Sequence, residues 1–384
     1  MKFKINRDFF SSGLQLVTNV VGARKTMPIL QNVLIEAEED RISLTTTNLD
    51  LGARCSVKAN VTESGSVTLP VRELGNIIRQ LADMEVNVST GTEPKAKITT
   101  RGSIFNLMGM ESKEFPPLPA LEDQKDFKLS RQELKQMLKN VSYAQSVNEE
   151  RYMLKGVYFS LSEEDLSLVA TDGRRLALTT KAHKGENSAV GEFILPASSV
   201  AELMKMPDLG DLVRISFTDR QVAFEIDVED FSGEETEDQN GFVGSVYMVS
   251  KVVEGKYPNY RQVIPKDSFN RSEVERELLL ECVTRAALVS DERVTFRIKK
   301  DKMEITAQST LGDACESMNV SYEGDDATVS FNPRFLLDPL KALSMDKLSF
   351  EFRDDMSPGV FRTNDEKESG ELSFLCVVMP IRTD

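Results

Sequence analysis

Histidine is almost missing from this 384-residue chain: His183 is the only one. It lies in Lys181-Ala182-His183-Lys184-Gly185, a polar stretch that reads as a solvated loop. Catalysis that pairs an imidazole with a serine, or two histidines on zinc in an HExxH helix, is therefore excluded. The four cysteines, Cys55, Cys282, Cys315 and Cys376, are widely scattered with no CxxC pair, which suggests neither a zinc site nor a disulfide framework. No GxxxxGKS or GxxxxGKT loop occurs, and no GxGxxG follows a strand, so nucleotide hydrolysis and dinucleotide binding lack their phosphate cradle. No cofactor or metal is expected. No apolar run approaches the length of a bilayer span, and the start, MKFKINRDFF, goes straight into an alternating strand rather than a signal peptide. The expectation is a cytoplasmic protein with no membrane partner. Positive charge is also in deficit: 47 Lys and Arg against 62 Asp and Glu give a net charge of −15. Such a surface repels phosphates over most of its extent but leaves room for a local basic face.

What the chain does have is repetition. In Leu154 to Leu178, Val157, Phe159 and Leu161 alternate with outward positions, Ser162 to Asp165 supply a turn, and Leu166, Leu168 and Ala170 resume the alternation. The hairpin closes on Thr171-Asp172-Gly173-Arg174-Arg175 at the rim of a sheet. The same strand, turn and strand recur from Ile29 to Thr47 and from Val294 to Gln308, with Ile42, Leu166 and Met303 in register at offsets of 124 and 137 residues. A second anchor, the strand-to-helix junctions at Leu69, Leu195 and Phe331, gives 126 and 136. Two independent anchors agreeing this closely predict a threefold repeat, and the length suits three domains of ordinary size.

The expected fold class is α+β: three repeated domains, residues 1–122, 127–265 and 266–384, each with two helices backed by antiparallel sheet. Helices are predicted over Asp8–Val21, Val71–Leu81, Arg131–Gln145, Ser198–Met206 and Ser272–Leu288. The proline-rich exit Phe115 to Pro119 reads as a linker, and the acidic stretch 229–244 as a solvated loop between strands 221–228 and 245–252. The final apolar run Phe374 to Val378 reads as a core strand, after which Met379, Pro380 and Ile381 stand where a sheet stops. Basic side chains on the helices, Lys135 and Lys139 among them, read by themselves as solvated faces. Asp172 beside Arg174 and Arg175 is the nearest approach to a catalytic group, and it is more simply a turn residue; no enzyme is expected.

The segments MKF, RKTMPILQNVLIE, RYMLKGVYF, LVATDGRRLAL, VEGKYPNYRQVIP and VVMPIR together resemble the bacterial sliding clamp family, the beta subunit of DNA polymerase III, over the whole length. The resemblance implies a non-catalytic processivity factor, in which two subunits close head to tail into a ring and helices line a hole threaded by duplex DNA of any sequence. It implies that Arg24, Arg72, Arg79, Lys135, Lys139, Arg151, Lys205 and Lys341 face the DNA. It further implies a cleft between the second and third domains that holds peptides from the polymerase catalytic subunit, the ATP-dependent clamp loader, other polymerases and repair proteins. Leu154, Thr171, Gly173, Arg174, Arg175, Leu176, Pro258 and Val263 would form one wall. Val360, Val377, Val378, Met379, Pro380, Ile381 and Arg382 would form the other, with Val283, Asn332 and Phe335 nearby. The homodimer interface would place Phe105 and Leu107 of an edge strand against Leu278 and Leu279.

Three features depart from the family pattern: Arg174 where many members carry histidine, Gln262 in place of a basic residue, and the ending Arg382-Thr383-Asp384. The acidic stretch 229–244 is an insertion. A clamp-like adaptor that binds peptides without being loaded on DNA is the alternative reading.

Overall fold

Three times in the chain a short alternating strand runs into a helix at an arginine. Strand β1 (Lys2–Asn6) leads into α1 (Arg7–Thr18), and the first repeat continues as β2 (Asn32–Glu38), β3 (Arg41–Thr47), β4 (Leu51–Lys58), β5 (Asn60–Glu63) and β6 (Gly65–Pro70). It ends with α2 (Val71–Gln80), β7 (Glu85–Thr90), β8 (Lys95–Thr99) and β9 (Ile104–Met108). The second repeat is β10 (Lys125–Ser130), α3 (Arg131–Val141), β11 (Gly156–Leu161), β12 (Asp165–Thr171), β13 (Arg175–Ala182), β14 (Gly191–Pro196), α4 (Ala197–Met204), β15 (Leu212–Phe217), β16 (Gln221–Asp227) and β17 (Phe242–Lys251). The third opens with β18 (Asn270–Glu275), α5 (Arg276–Ala286), β19 (Val294–Lys299), β20 (Lys302–Ser309), β21 (Gly312–Asn319), β22 (Ser321–Glu323) and β23 (Ala327–Phe331). It closes with α6 (Pro333–Ala342), β24 (Lys347–Phe352), β25 (Gly359–Arg362) and β26 (Ser373–Val378). This computed structural model describes residues 1–22, 27–183, 189–206, 208–228, 241–266, 270–363 and 372–382.

The arginine that opens each repeat's first helix does the same work in all three. Backbone N–H groups of Arg7, Arg131 and Arg276 donate to the carbonyls of Met84, Asp211 and Asp346. Their guanidinium groups donate to the carbonyls of Leu81, Gly210 and Met345, just beyond α2, α4 and α6. A cation on the carbonyls that trail a helix satisfies acceptors that have no partner within it. One side chain thereby ties the two helices of a repeat together.

Among the described residues the strands form four antiparallel sheets. Each repeat contributes a first sheet of four strands, β6-β2-β3-β4, β14-β11-β12-β13 and β23-β19-β20-β21, and a second built outward from β1, β10 or β18. The first sheet of one repeat is continuous with the second sheet of the next: β4 pairs β17, and β13 pairs β26. The rows of the second sheets correspond: Phe3, Val88, Ile98 and Phe105; Phe127, Ile215, Phe224 and Met248; Ser272, Phe350, Phe361 and Cys376. In the first sheets Ala53, Ala177 and Ala314 hold one position, opposite Thr46, Ala170 and Ala307.

These shared ladders explain why the chain clusters into two compact units rather than three, Met1–Glu133 with Ala201–Val252, and Leu134–Val200 with the chain from Val253 on. In the first unit the core includes Phe3, Phe10, Ile35, Ile42 and Phe224, all fully buried. In the second, Phe296, Phe331 and Phe350 meet edge to face at 5.8–6.0 Å, and Phe361 stacks on Phe350 at 4.7 Å. Among the described residues no helix is long and apolar enough to cross a membrane.

The helix expected over Ser272–Leu288 is shorter, because residues 270–275 form β18 instead, with Asn270, Ser272 and Val274 turned inward in strand alternation. The helix expected to reach Gln145 ends at Val141 and passes into a 3-10 turn. Most of the acidic insertion, residues 229–240, lies outside the described residues, and β17 starts earlier than expected, at Phe242.

Removing the ring at the centre of the third-repeat core, Phe350→Ala, is expected to destabilise its unit by about 3–5 kcal/mol, seen as a lower urea midpoint with unchanged far-UV signal before the transition.

Candidate binding cleft

The turn between β12 and β13 is set by short polar side chains. Asp172 Oδ1 accepts from the N–H of Arg174 at 2.8 Å and of Arg175 at 3.0 Å, while Thr171 Oγ1 accepts from the N–H of Gly173 and donates to the carbonyl of Arg175. Gly173 adopts φ +84°, and a Cβ there would lie 2.3 Å from Nη1 of Arg151. The backbone conformation favours glycine, and any Cβ would also push the end of the Arg151 side chain aside.

Arg175 is buried and serves as the hub of this region. Its Nε reaches Asp172 Oδ2 at 3.1 Å, Nη1 reaches Asp338 Oδ2 at 2.6 Å, and Nη2 donates to the Tyr143 carbonyl at 2.7 Å. The guanidinium also lies over the rings of Phe335 at 4.7 Å and Tyr143 at 5.4 Å. One side chain thus joins β13, the turn after α3 and α6. Each of its three nitrogens is engaged from within, so Arg175, in the wall as the sequence suggests, holds the shape of the cleft.

The opposing wall begins where β26 ends. Leu176 faces Val377, and Val360 on β25 faces Val377 from the other side. The N–H of Met379 donates to the Arg174 carbonyl at 3.0 Å and that of Ile381 to Ser330 at 2.8 Å; Pro380 between them has no N–H, so the ladder stops. The Met379 side chain is left 46% exposed. Below it lies a small apolar cluster separate from the main cores: Tyr158, Val169, Leu176, Ile194, Tyr257, Tyr260, Val360 and Val377, with Leu154 and Ile264 packed against it. Tyr158 stacks on Tyr257 at 4.7 Å and meets Tyr260 edge to face. Burial, with help from a 2.5 Å hydrogen bond to Glu192, pushes the Tyr158 phenol up to about 12, so it stays neutral at ordinary pH. Val263 is 54% exposed, and Pro258 is exposed with it on the segment that carries Tyr257 and Tyr260. A groove over this cluster, with the exposed methionine at its lip, would suit a short peptide with large apolar side chains.

Not every expected residue belongs to it. Val283 is fully buried on α5 within the third-repeat core and cannot touch a ligand; its helical spacing with Leu279, Cys282 and Ala286 marks a core face. Val378 is likewise buried in that core. Asn332 caps α6, its Oδ1 accepting from the N–H of Arg334, and Phe335 is half-buried under Arg175. Arg382 is exposed beyond Ile381.

Of the basic residues, Arg72 and Arg79 are exposed on α2, Lys135 and Lys139 on α3 and Lys341 on α6, and Lys205 follows α4, pairing with Glu202. Arg24 lies outside the described residues. Arg151 is drawn to the cleft wall, where its Nη1 donates to the Asp172 carbonyl at 3.0 Å.

On β9, Phe105 is 37% exposed and Leu107 half-buried, beside the more exposed Ile104 and Met108. Leu279 is fully buried and Leu278 packs against the same core, so neither forms an open face. The most exposed large apolar side chains described in the third repeat are instead Leu311, just before β21, and Leu288, just past α5, ahead of Met356 and Met379. The shift in phase at the end of α5 is the signal that sequence spacing could have shown.

Three profiles of the DNA polymerase III beta subunit match the chain: the N-terminal domain over residues 1–119, the central domain over 128–234 and the C-terminal domain over 261–382. The beta sliding clamp of Chlamydia muridarum is 32% identical over 386 residues, covering 100% of this chain and 99% of the relative. That of Staphylococcus aureus is 29% identical over 398 residues, covering both chains fully. Among solved structures, the DNA polymerase sliding clamp of Bacillus subtilis superposes with a TM-score of 0.89 at 26% identity, and the sliding clamp of Bartonella birtlesii bound to griselimycin with 0.87 at 30%, each covering both chains fully.

Replacing the hub, Arg175→Ala, removes the nearest counter-charge of both Asp172 and Asp338 in a partly buried site. A loss of about 3–5 kcal/mol in unfolding free energy is expected. Arg175→Lys should restore little of it, because an ammonium cannot address three acceptors with a planar fork.

Proposed function

The chain belongs to the bacterial sliding clamp family, the beta subunit of DNA polymerase III, and on that premise we propose that it is a non-catalytic processivity factor that encircles duplex DNA as a head-to-tail dimer in the cytoplasm. Its domains fall at residues 1–122, 127–265 and 266–384. The cleft between the second and third tethers the polymerase catalytic subunit, the clamp loader, other polymerases and repair proteins by short peptides.

One observation carries the dimer: the unfinished strand ladder. β4 is completed by β17 and β13 by β26, whereas β21 and β9, which hold the corresponding places in the third and first repeats, end their sheets. An edge strand that shows Ile104, Phe105 and Met108 to water is a poor final surface and a good half of an interface. The internal junctions supply the register. Met248 faces Ala53 across one, and Cys376 faces Ala177 across the other. By equivalence Phe105 of one copy faces Ala314 of the second, and Ile104 faces Cys315. Leu288 and Leu311, exposed on the third repeat, supply the apolar flanks of that contact.

A closed ring retains DNA by topology, so a tight grip on phosphate is unnecessary. Arg24, Arg72, Arg79, Lys135, Lys139, Lys205 and Lys341 then act as countercharges that let the protein slide, while the net charge of −15 keeps DNA off the remaining surface. Arg151 is better assigned to the cleft, where its guanidinium is held.

Two measurements test this reading. Loaded on nicked circular DNA by a clamp loader with ATP, the protein should remain bound in moderately high salt and fall off when the circle is cut. Retention that ignores linearisation, or no loading at all, would leave the peptide-binding adaptor as the better account. For the interface, Cys315 is the exposed one of four cysteines. Facing residues of an antiparallel pair lie about 4.5–5.5 Å apart at Cα, within disulfide range. Mild oxidation should therefore convert Ile104→Cys, but not the same variant with Cys315→Ser, into a covalent dimer; no cross-link would refute the register.

A further inference from the structure

The seam between the first and second repeats is built like the seam between the second and third, but its interior is filled differently. Asp172 Oδ1 accepts from the N–H groups of Arg174 and Arg175, and Asn48 Oδ1 accepts in the same way from those of Asp50 and Leu51. Thr171 and Thr47 repeat each other, donating to the carbonyls of Arg175 and Leu51. The ladders correspond too, since Ala177 faces Cys376 where Ala53 faces Met248. This equivalence pairs Tyr143 with Asn19, Arg175 with Leu51 and, on α6 and α4, Asp338 with Glu202.

At the second seam the Tyr143 hydroxyl is shielded from water beside the Cys376 thiol. The Arg175 guanidinium lies over the same ring at 5.4 Å and holds Asp338 at 2.6 Å. At the first seam the short Asn19 stands for the tyrosine and the uncharged Leu51 for the arginine, and a cavity of about 420 Å³ remains between α1 and α4. Val20, Ala53, Met206, Phe242 and Met248, all buried, give it an apolar floor. Ser12, Gln15 and Asn19 line one side, and among the described residues no hydrogen bond engages their side chains. Glu202 lines the other side and is only 15% exposed; its Oε1 accepts from Lys205 Nζ at 2.9 Å, and Oε2 has no partner among the described residues. The first seam has thus kept the carboxylate of the hub without its ring or its guanidinium.

We infer that this cavity is a binding site for a small aromatic cation, a flat ring carrying an amidinium, guanidinium or ammonium group, which supplies from outside what Tyr143 and Arg175 supply from within the chain at the other seam. The volume suits such a ligand. Its ring lies on the apolar floor, where the thioethers of Met206 and Met248 favour an aromatic neighbour. Its cation reaches Glu202 Oε2 in a charge-assisted hydrogen bond. Lys205 does not block it, because that side chain is 57% exposed and Lys341 holds the equivalent place on α6 beside the filled seam. A ligand held here braces α1 of one repeat against α4 of the next. The site is independent of the peptide cleft and of DNA, so its failure would leave the sliding-clamp reading untouched.

The test uses the full-length protein with benzamidine and its neutral isostere benzamide, titrated at low salt by saturation-transfer NMR, with the melting temperature as a second readout. Benzamidine should bind about tenfold more tightly than benzamide, the difference between a charge-assisted and a neutral hydrogen bond, and should raise the melting temperature. In Glu202→Gln the ratio should fall towards one. Asn19→Tyr, which returns a ring to the seam, should abolish binding of both probes without lowering the melting temperature. The inference is overturned if wild type fails to bind benzamidine, or binds both probes equally. It is equally overturned if the preference survives in Glu202→Gln or binding survives in Asn19→Tyr, since the probe then sits elsewhere.

Discussion

A β-strand cannot be left with its backbone groups unpaired without consequence, and that requirement organises this molecule more than any single contact. The first sheet of each repeat ends in a strand whose outer N–H and C=O groups need partners, and the next repeat supplies them: β17 for β4 and β26 for β13. The junction between repeats is therefore a hydrogen-bonded ladder. The compact units follow this rule and cut across the threefold repeat in sequence. The cleft is a product of the same ladder, since β13 brings the Asp172–Arg174 turn to β26, and β26 ends at Met379 and Pro380 directly beside it.

Much of the fold was legible because the repeat places the same residue types at the same structural tasks. The anchors Leu69, Leu195 and Phe331 face Val33, Val157 and Val294 in three equivalent ladders, so the offsets read from sequence are true structural equivalences. The apolar end at Met379 to Ile381 was legible for a related reason: proline after a core strand leaves neighbours that no ladder can bury. Other residues were misjudged because sequence shows type and not direction. Leu279 and Leu288 are both leucines near one helix, yet one is buried and the other 79% exposed, since the helix ends between them. The role of Arg175 could not be read at all, because Asp338 lies 163 residues away and only the fold brings it within reach.

Adjacent arginines divide the electrostatics of the cleft. Arg175 is enclosed by two carboxylates, a carbonyl and two rings, and holds three elements in place. Arg174, one residue earlier and on the other face of the strand end, is exposed. Buried and exposed guanidinium groups are separated by one step of strand alternation. The buried member neutralises the acids that would otherwise cancel the exposed ones.

The three equivalent ladder positions differ in one respect that geometry does not show. Two are closed in cis by strands of the same chain, so their partners are always present at a high local concentration that dilution cannot change. The third, between β21 and β9, would under the proposed dimer close in trans, and its occupancy would then follow the law of mass action. Covalent connectivity, more than the strength of any ladder, then decides which seam can open. A partner that needed to separate such a dimer would have that seam to work on, since the other two are closed within one chain.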